Sequence, residues 1–223
     1  MHTDGSRLKR LRTLLTRAAV TTALLAVGCF IIVSTGSAAS LTGNNLVSAL
    51  RSGGYVILMR HASSPRSPPA PADANPDNAG HERQLDQEGR TSAKAMGAAL
   101  SSLRIPVGLV LSSPTYRALE TARLAQLSSP KTDPELGDGG HSMQADPSGR
   151  RGVWLRDKVA MAPPHGVNTI IITHLPNISE AFPEQAKGLE DGEALIFQPD
   201  HRGGATLVGR VSIGDWPRLA THS

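Results

Sequence analysis

The sequence is poor in cysteine and in aromatic side chains, and its one long apolar run stands near the amino terminus. Cys29 is the single cysteine of 223 residues, so the chain can form no internal disulfide and no zinc site built on cysteines. Aromatic residues make up 3%, with three Phe, two Trp and two Tyr, and they do not interleave with Lys or Arg as a nucleic-acid surface would require. The net charge of +4 is also absent from the body of the chain. Residues 1–39 carry five of the 23 basic residues and one of the 19 acidic ones, which leaves 18 of each from Ser40 onward. A formally neutral remainder gives no reason to expect a nucleic-acid partner.

That first segment reads as an export leader. Arg7, Lys9, Arg10, Arg12 and Arg17 form a positive region, Ala18–Val33 is apolar apart from Thr21 and Thr22, and Ser37-Ala38-Ala39 offers small residues for cleavage before Ser40. The alternative is an uncleaved anchor over residues 18–33, but 16 residues fall short of the roughly 20 that a membrane span needs. The expected organisation is therefore a leader, 1–39, followed by one domain, 40–223, in a periplasmic or secreted protein that meets a membrane only through its N-terminal segment. Removing the leader removes Cys29, so no thiol nucleophile remains. A chain of about 184 residues can bury an ordinary core without disulfides.

What is present is a series of short apolar runs, each ending in charged or imidazole residues. Tyr55-Val-Ile-Leu-Met-Arg60-His61 reads as a strand buried on both faces with Arg60 and His61 at its carboxyl end. Val107–Leu111 reads as a second buried strand, and Thr169–Thr173, ending at His174, as a third. Between them, Leu41–Arg51 suggests a short helix and Ser63–Gly80, with five prolines, a long loop. A helix with Asp86 as N-cap runs to about Leu103, and another starts with Ser113 as cap and Pro114 in its first turn and runs to about Leu127. Ser128–Gly166 lacks a pattern except for a helix at Trp154–Met161, and Ala194–Gln198 and Ala205–Val211 form a hairpin across Pro199–Gly204. Alternating strands and helices predict a single three-layer α/β domain with a mostly parallel sheet flanked by helices.

Ligands of such sheets bind outside the carboxyl ends of the strands. There the sequence places Arg60, His61, His174 and Arg117, the last in the first turn of the helix after the second strand. A cation in that turn opposes the helix dipole, and a bound anion reverses the penalty. The alternative pairs Arg117 with Glu120 on an exposed face. The chemistry that fits two imidazoles and two guanidinium groups is attack of a neutral His61 on phosphorus. Arg60, Arg117 and a protonated His174 would then surround the equatorial oxygens, with no metal and no cofactor required.

Leu58-Met-Arg-His-Ala62, Leu111-Ser-Ser-Pro-Thr-Tyr-Arg-Ala-Leu-Glu-Thr-Ala122 and Ile172-Thr-His174 resemble the three signatures of the histidine phosphatase superfamily, the phosphoglycerate mutase-like fold. Gln84-Leu-Asp-Gln-Glu-Gly-Arg90 looks like that family's leucine–glycine helix opening. Gly192–Phe197 and the Gly203-Gly204 hairpin look like those of its small exported bacterial members. The resemblance covers about Gly54–Val211 and implies His61 as nucleophile, Arg60 and Arg117 as phosphate clamps and His174 as the second phosphate-binding histidine. Two positions depart from the pattern. Ala62 stands where glycine is usual, and Leu175 follows His174 where one branch has an acidic proton donor. Asp138 in Leu136-Gly137-Asp138 is the nearest match to the other branch's donor, with Glu82 and Asp73 as alternatives, and Arg83 is a candidate further phosphate contact. His81, His141, His165 and His201 have no metal-ligand spacing. The expected activity is hydrolysis of a small phosphomonoester, a phosphorylated cell-envelope glycan among the candidates, through a phosphohistidine on His61. The competing expectation is a catalytically weak or inactive phosphate-binding member of the same fold.

Overall fold

Val56-Ile57-Leu58-Met59 alternate between two apolar environments, and that alternation sets the layers of the whole domain. In a computed structural model, which describes residues 40–138 and 149–221, they belong to strand β1 (Val56–Arg60) at the middle of a six-stranded sheet. The expected leader, Cys29 and His141 lie outside the described residues. Ile57 and Met59 face a cluster built from α1 (Gly43–Ser52), α2 (Gln87–Ser102), α3 (Tyr116–Leu124) and α6 (Trp216–Thr221). Val56 and Leu58 face the opposite cluster, with Leu155 and Val159 of α4 (Arg150–Ala160) and Ile178 of α5 (Leu175–Ala181). Side chains of a strand point alternately to its two faces, so a continuous apolar run here means a layer of helices on each side. Among the described residues no helix is long and apolar enough to cross a membrane.

The strand order is β3-β2-β4-β1-β5-β6. β2 (Val107–Ser112) and β1 both run parallel to β4 (Asn168–Thr173), with Val56 opposite Thr169 and Arg60 opposite Thr173. A two-residue strand, β3 (Lys131–Thr132), extends the parallel part, while β5 (Ala194–Pro199) and β6 (Ala205–Val211) are antiparallel and joined by the expected hairpin. The parallel register brings the carboxyl ends of β1, β2 and β4 side by side. Gly53 turns the chain into β1 at φ 75, where a Cβ would meet Val167 N at 2.4 Å.

Several expectations need correcting. β2 is not buried throughout: Val110 and Ser112 are buried, whereas Gly108 is exposed, because β2 pairs outward only with a two-residue strand. The helix expected from Ser113 begins at Tyr116, with Thr115 as its N-cap residue, and ends at Leu124 rather than Leu127. Ser113 and Pro114 lie between β2 and the helix, with a bend at Pro114, and the Ser113 hydroxyl serves another purpose described below. Helices α5 and α6, strand β3 and a 3-10 turn at Pro134–Leu136 were not foreseen. The Asp86 cap is present, its carboxylate accepting from Gly89 N at 2.7 Å.

Candidate active site

The site begins at Ala62, immediately after β1 and His61. The Ala62 carbonyl lies 2.8 Å from Nδ1 of His61 and can only accept, so Nδ1 carries the ring proton. Nε2 is left with its lone pair, which accepts from Nε of Arg117 at 3.3 Å. The backbone on both sides is held. His61 N donates to Thr173 O at 3.0 Å, and Gly192 N donates to His61 O at 2.9 Å. Ala62 N donates to the hydroxyl of Thr121, which itself donates to Arg117 O at 2.8 Å, so helix α3 and the end of β1 are tied together. Burial of the ring, with the charges of Arg117, Arg60 and Arg83 nearby, holds the His61 pKa down at about 3. His61 is thus a neutral, oriented base.

Arg117 projects from the first turn of α3 toward the strand ends, the direction in which helical Cβ atoms lean. It is 4% exposed and does not pair with Glu120, which is itself buried and accepts from Leu85 N at 2.8 Å. Instead Nη2 of Arg117 donates to the Asp138 carboxylate and approaches Nδ1 of His174 at 3.1 Å. A guanidinium can only donate, so His174 accepts on Nδ1 and carries its proton on Nε2, 2.8 Å from Ser113 Oγ and 3.3 Å from Thr115 Oγ1. His174 was expected to be protonated. In the free site, burial first and Arg117 second push its pKa well below the usual histidine value, and the Asp138 charge opposes them. The two rings meet edge to face at 5.2 Å between centroids.

The structure therefore brings His61, Arg117, His174 and Asp138 into one cluster, with Asp138 Oδ2 3.6 Å from His174 Nδ1. Arg60 stands beside it but is largely engaged. Its Nη1 donates to Leu189 O at 3.1 Å and its Nη2 pairs with Asp191 at 2.6 Å, while Nε is buried with no hydrogen-bond partner among the described residues. Arg83 donates to the carbonyls of Pro65 and Ser64, and its charge is felt at His61 and His174. Its own pKa is lowered by burial and then by Arg117. Glu82 accepts from Tyr116 N at 3.2 Å at the start of α3. Asp73 enters the loop network through its backbone, its N donating to Ala70 O at 2.9 Å and its carbonyl accepting from Gln84 Nε2 at 2.9 Å.

Three participants were missed by reasoning from sequence. Ser113 and Thr115 hold His174, and Asp191 holds Arg60 while burial raises its own pKa. The Ser-Ser-Pro-Thr run after β2 carries a usable signal, because hydroxyls at a strand end can hold an imidazole as readily as they cap a helix. Among the described residues no group of three or more His, Asp or Glu side chains could hold a metal ion.

The model of the histidine phosphatase superfamily (branch 1) matches residues 56–141. No curated protein matches by sequence. Among solved structures, the protein histidine phosphatase SixA complexed with tungstate aligns over 72% of this chain and 98% of its own, with a TM-score of 0.52 and 20% identity. YhfR of Bacillus stearothermophilus aligns over 69% of this chain and 94% of its own, with a TM-score of 0.48 and 16% identity.

Proposed function

The chain belongs to the histidine phosphatase superfamily, and we propose that this phosphatase hydrolyses a phosphomonoester through a phosphohistidine on His61, outside the cytoplasm and without a metal ion or cofactor. The observation that carries the reading is the His61 ring itself. Its Nδ1 proton is committed to Ala62 O, and its Nε2 lone pair faces the guanidinium of Arg117. In the first step Nε2 bonds to phosphorus as the P–O bond to the leaving group breaks, and a carboxylic acid gives its proton to the departing oxygen. In the second, water attacks phosphorus, its proton passes to the carboxylate, and the P–N bond electrons return to Nε2. Arg117 and the Nε of Arg60 stabilise the charge on the transferred group, with Arg83 and His174 beside them. Asp138 is the carboxyl group placed to serve both steps.

Substrates to compare are a sugar phosphate, a phosphorylated envelope glycan and a phosphohistidine side chain, the last suggested by the tungstate-bound neighbour. His61→Ala should remove all turnover of p-nitrophenyl phosphate, and the unmodified protein should work equally well in EDTA. Activity lost to EDTA and restored by a divalent ion would overturn the reading.

One observation favours the second possibility, a phosphate-binding member with weak catalysis. In the free site Asp138 is ion-paired with Arg117, so no proton stands ready for a leaving group. The two readings separate on leaving groups. If Asp138 supplies the proton, Asp138→Asn slows phosphoryl transfer to His61 from alkyl phosphates by about 10²- to 10⁴-fold and leaves the same step from p-nitrophenyl phosphate, read as the initial burst of a phenolate that departs unaided, nearly unchanged. Equal and small effects on both would sink the Asp138 assignment and move the search for the acid to Glu82 and Asp73, whereas turnover of neither substrate by the unmodified protein would favour the binding module.

A further inference from the structure

We propose that Asp138 occupies the seat of a substrate phosphoryl oxygen in the free enzyme, is displaced from Arg117 by the incoming anion, and takes up from solvent the proton it later delivers. The proposal rests on the phosphatase reading above and adds a step to it: substrate binding charges the acid.

The geometry points to a shared seat. The Arg117 guanidinium lies between the two histidines, with its Nε facing His61 Nε2 and its Nη2 holding both Asp138 and His174 Nδ1. A phosphoryl group bonding to Nε2 must bring its oxygens to this guanidinium, and the oxygen of Asp138 already stands there. Both are anions that suit the same fork. Two negative groups cannot hold one donor cheaply in a buried site, because like charges at close range favour the protonated form of one of them.

The sequence of charges then closes. Before binding, Arg117 keeps Asp138 as a carboxylate, and His61 and His174 are neutral. A dianionic phosphoryl group takes Nη2, and the displaced carboxylate, now beside a second anion, gains a proton from water. As the Nε2–P bond forms and the ester P–O bond breaks, that proton moves to the leaving oxygen. The carboxylate left behind accepts the proton of the attacking water, and release of phosphate lets Asp138 return to Arg117. The pairing that looked unfavourable for acid catalysis is the resting half of this cycle.

Sulfate is a suitable probe, being a dianion that carries no titratable proton near neutrality. Its binding at pH 7, measured by calorimetry in two buffers of different protonation enthalpy, should show uptake of about one proton by the wild-type protein. Asp138→Asn should bind sulfate about tenfold tighter and take up none. Asp138→Ser, which also lacks the charge, should behave in the same way, and equal urea midpoints establish that all three proteins are folded. Equal sulfate affinity in wild type and Asp138→Asn would overturn the shared seat. Proton uptake that persists in Asp138→Asn would place the proton on a histidine and overturn the acid-charging step. Neither result depends on turnover. Absence of phosphomonoester hydrolysis alongside proton-linked sulfate binding would refute only the phosphatase reading.

Discussion

At His61 and His174 the fold withholds protons from two imidazoles, and the acid stability of the protein should record it. Folded His61 binds its proton near pH 3, whereas the unfolded side chain does so near 6.5. Between those values the unfolded chain binds more protons, so stability is fully present above about 6.5 and is lost as pH falls toward 3. His174 is shifted in the same direction. Each contributes up to about 1.4 kcal/mol per pH unit within its window. Urea midpoints measured at pH 7 and pH 5 should therefore differ less in His61→Ala than in the wild type, and an equal difference would mean that His61 titrates normally. Ser113 gives a second test at this scale. Its hydroxyl accepts from Nε2–H of His174 and so selects the tautomer that faces Arg117. Ser113→Ala should lower kcat by about tenfold with little change in the urea midpoint, and an unchanged kcat would show that Thr115 and Arg117 orient the ring without it.

The elements matter to the site through two close approaches. Helix α2 opens against the residue two positions beyond His61: Asp86 N donates to Ser63 O at 3.2 Å, and Ser63 Oγ donates to Asp86 Oδ2 at 2.7 Å. A Cβ on Gly89 would lie 2.1 Å from Ser63 O, so the leucine–glycine opening admits no other residue without moving the loop. Gly89→Ala should cost about 1–3 kcal/mol, the usual range for overpacking, and reduce turnover, as thermal unfolding and initial rates will show. Wild-type values for both would mean that Ser63 gives way freely. Much of this level was legible in the sequence. β1 and β4 are buried on both faces, so their apolar runs were unambiguous and their ends marked the site. α3 starts later than Ser-Pro suggests because the chain bends at Pro114 before the helix, and the Ser113 side chain bonds His174 and Thr115 rather than capping the first turn. The pairing of Arg60 with Asp191 could not be foreseen, since residues so far apart in the chain leave no periodic trace. β3 was invisible because two exposed residues, Lys131 and Thr132, make no pattern.

For the whole molecule, the three layers converge on one arrangement. Parallel strands deliver His61, Arg117 and His174 to a common edge, and the segment after the 3-10 turn at Pro134–Leu136 closes it with Asp138. The proposed export leader, residues 1–39, belongs to this scale too. Mass spectrometry of the protein isolated from its native cells should find a chain that begins at Ser40, and one that retains Arg7–Val33 would identify an anchor. The most direct test of the reaction itself is the fate of the phosphoryl group during turnover. Quenching the enzyme with a ³²P-labelled phosphomonoester in the steady state should trap acid-labile, alkali-stable label on the peptide that holds His61. Label on another residue, or none while turnover proceeds, would contradict nucleophilic attack by that ring.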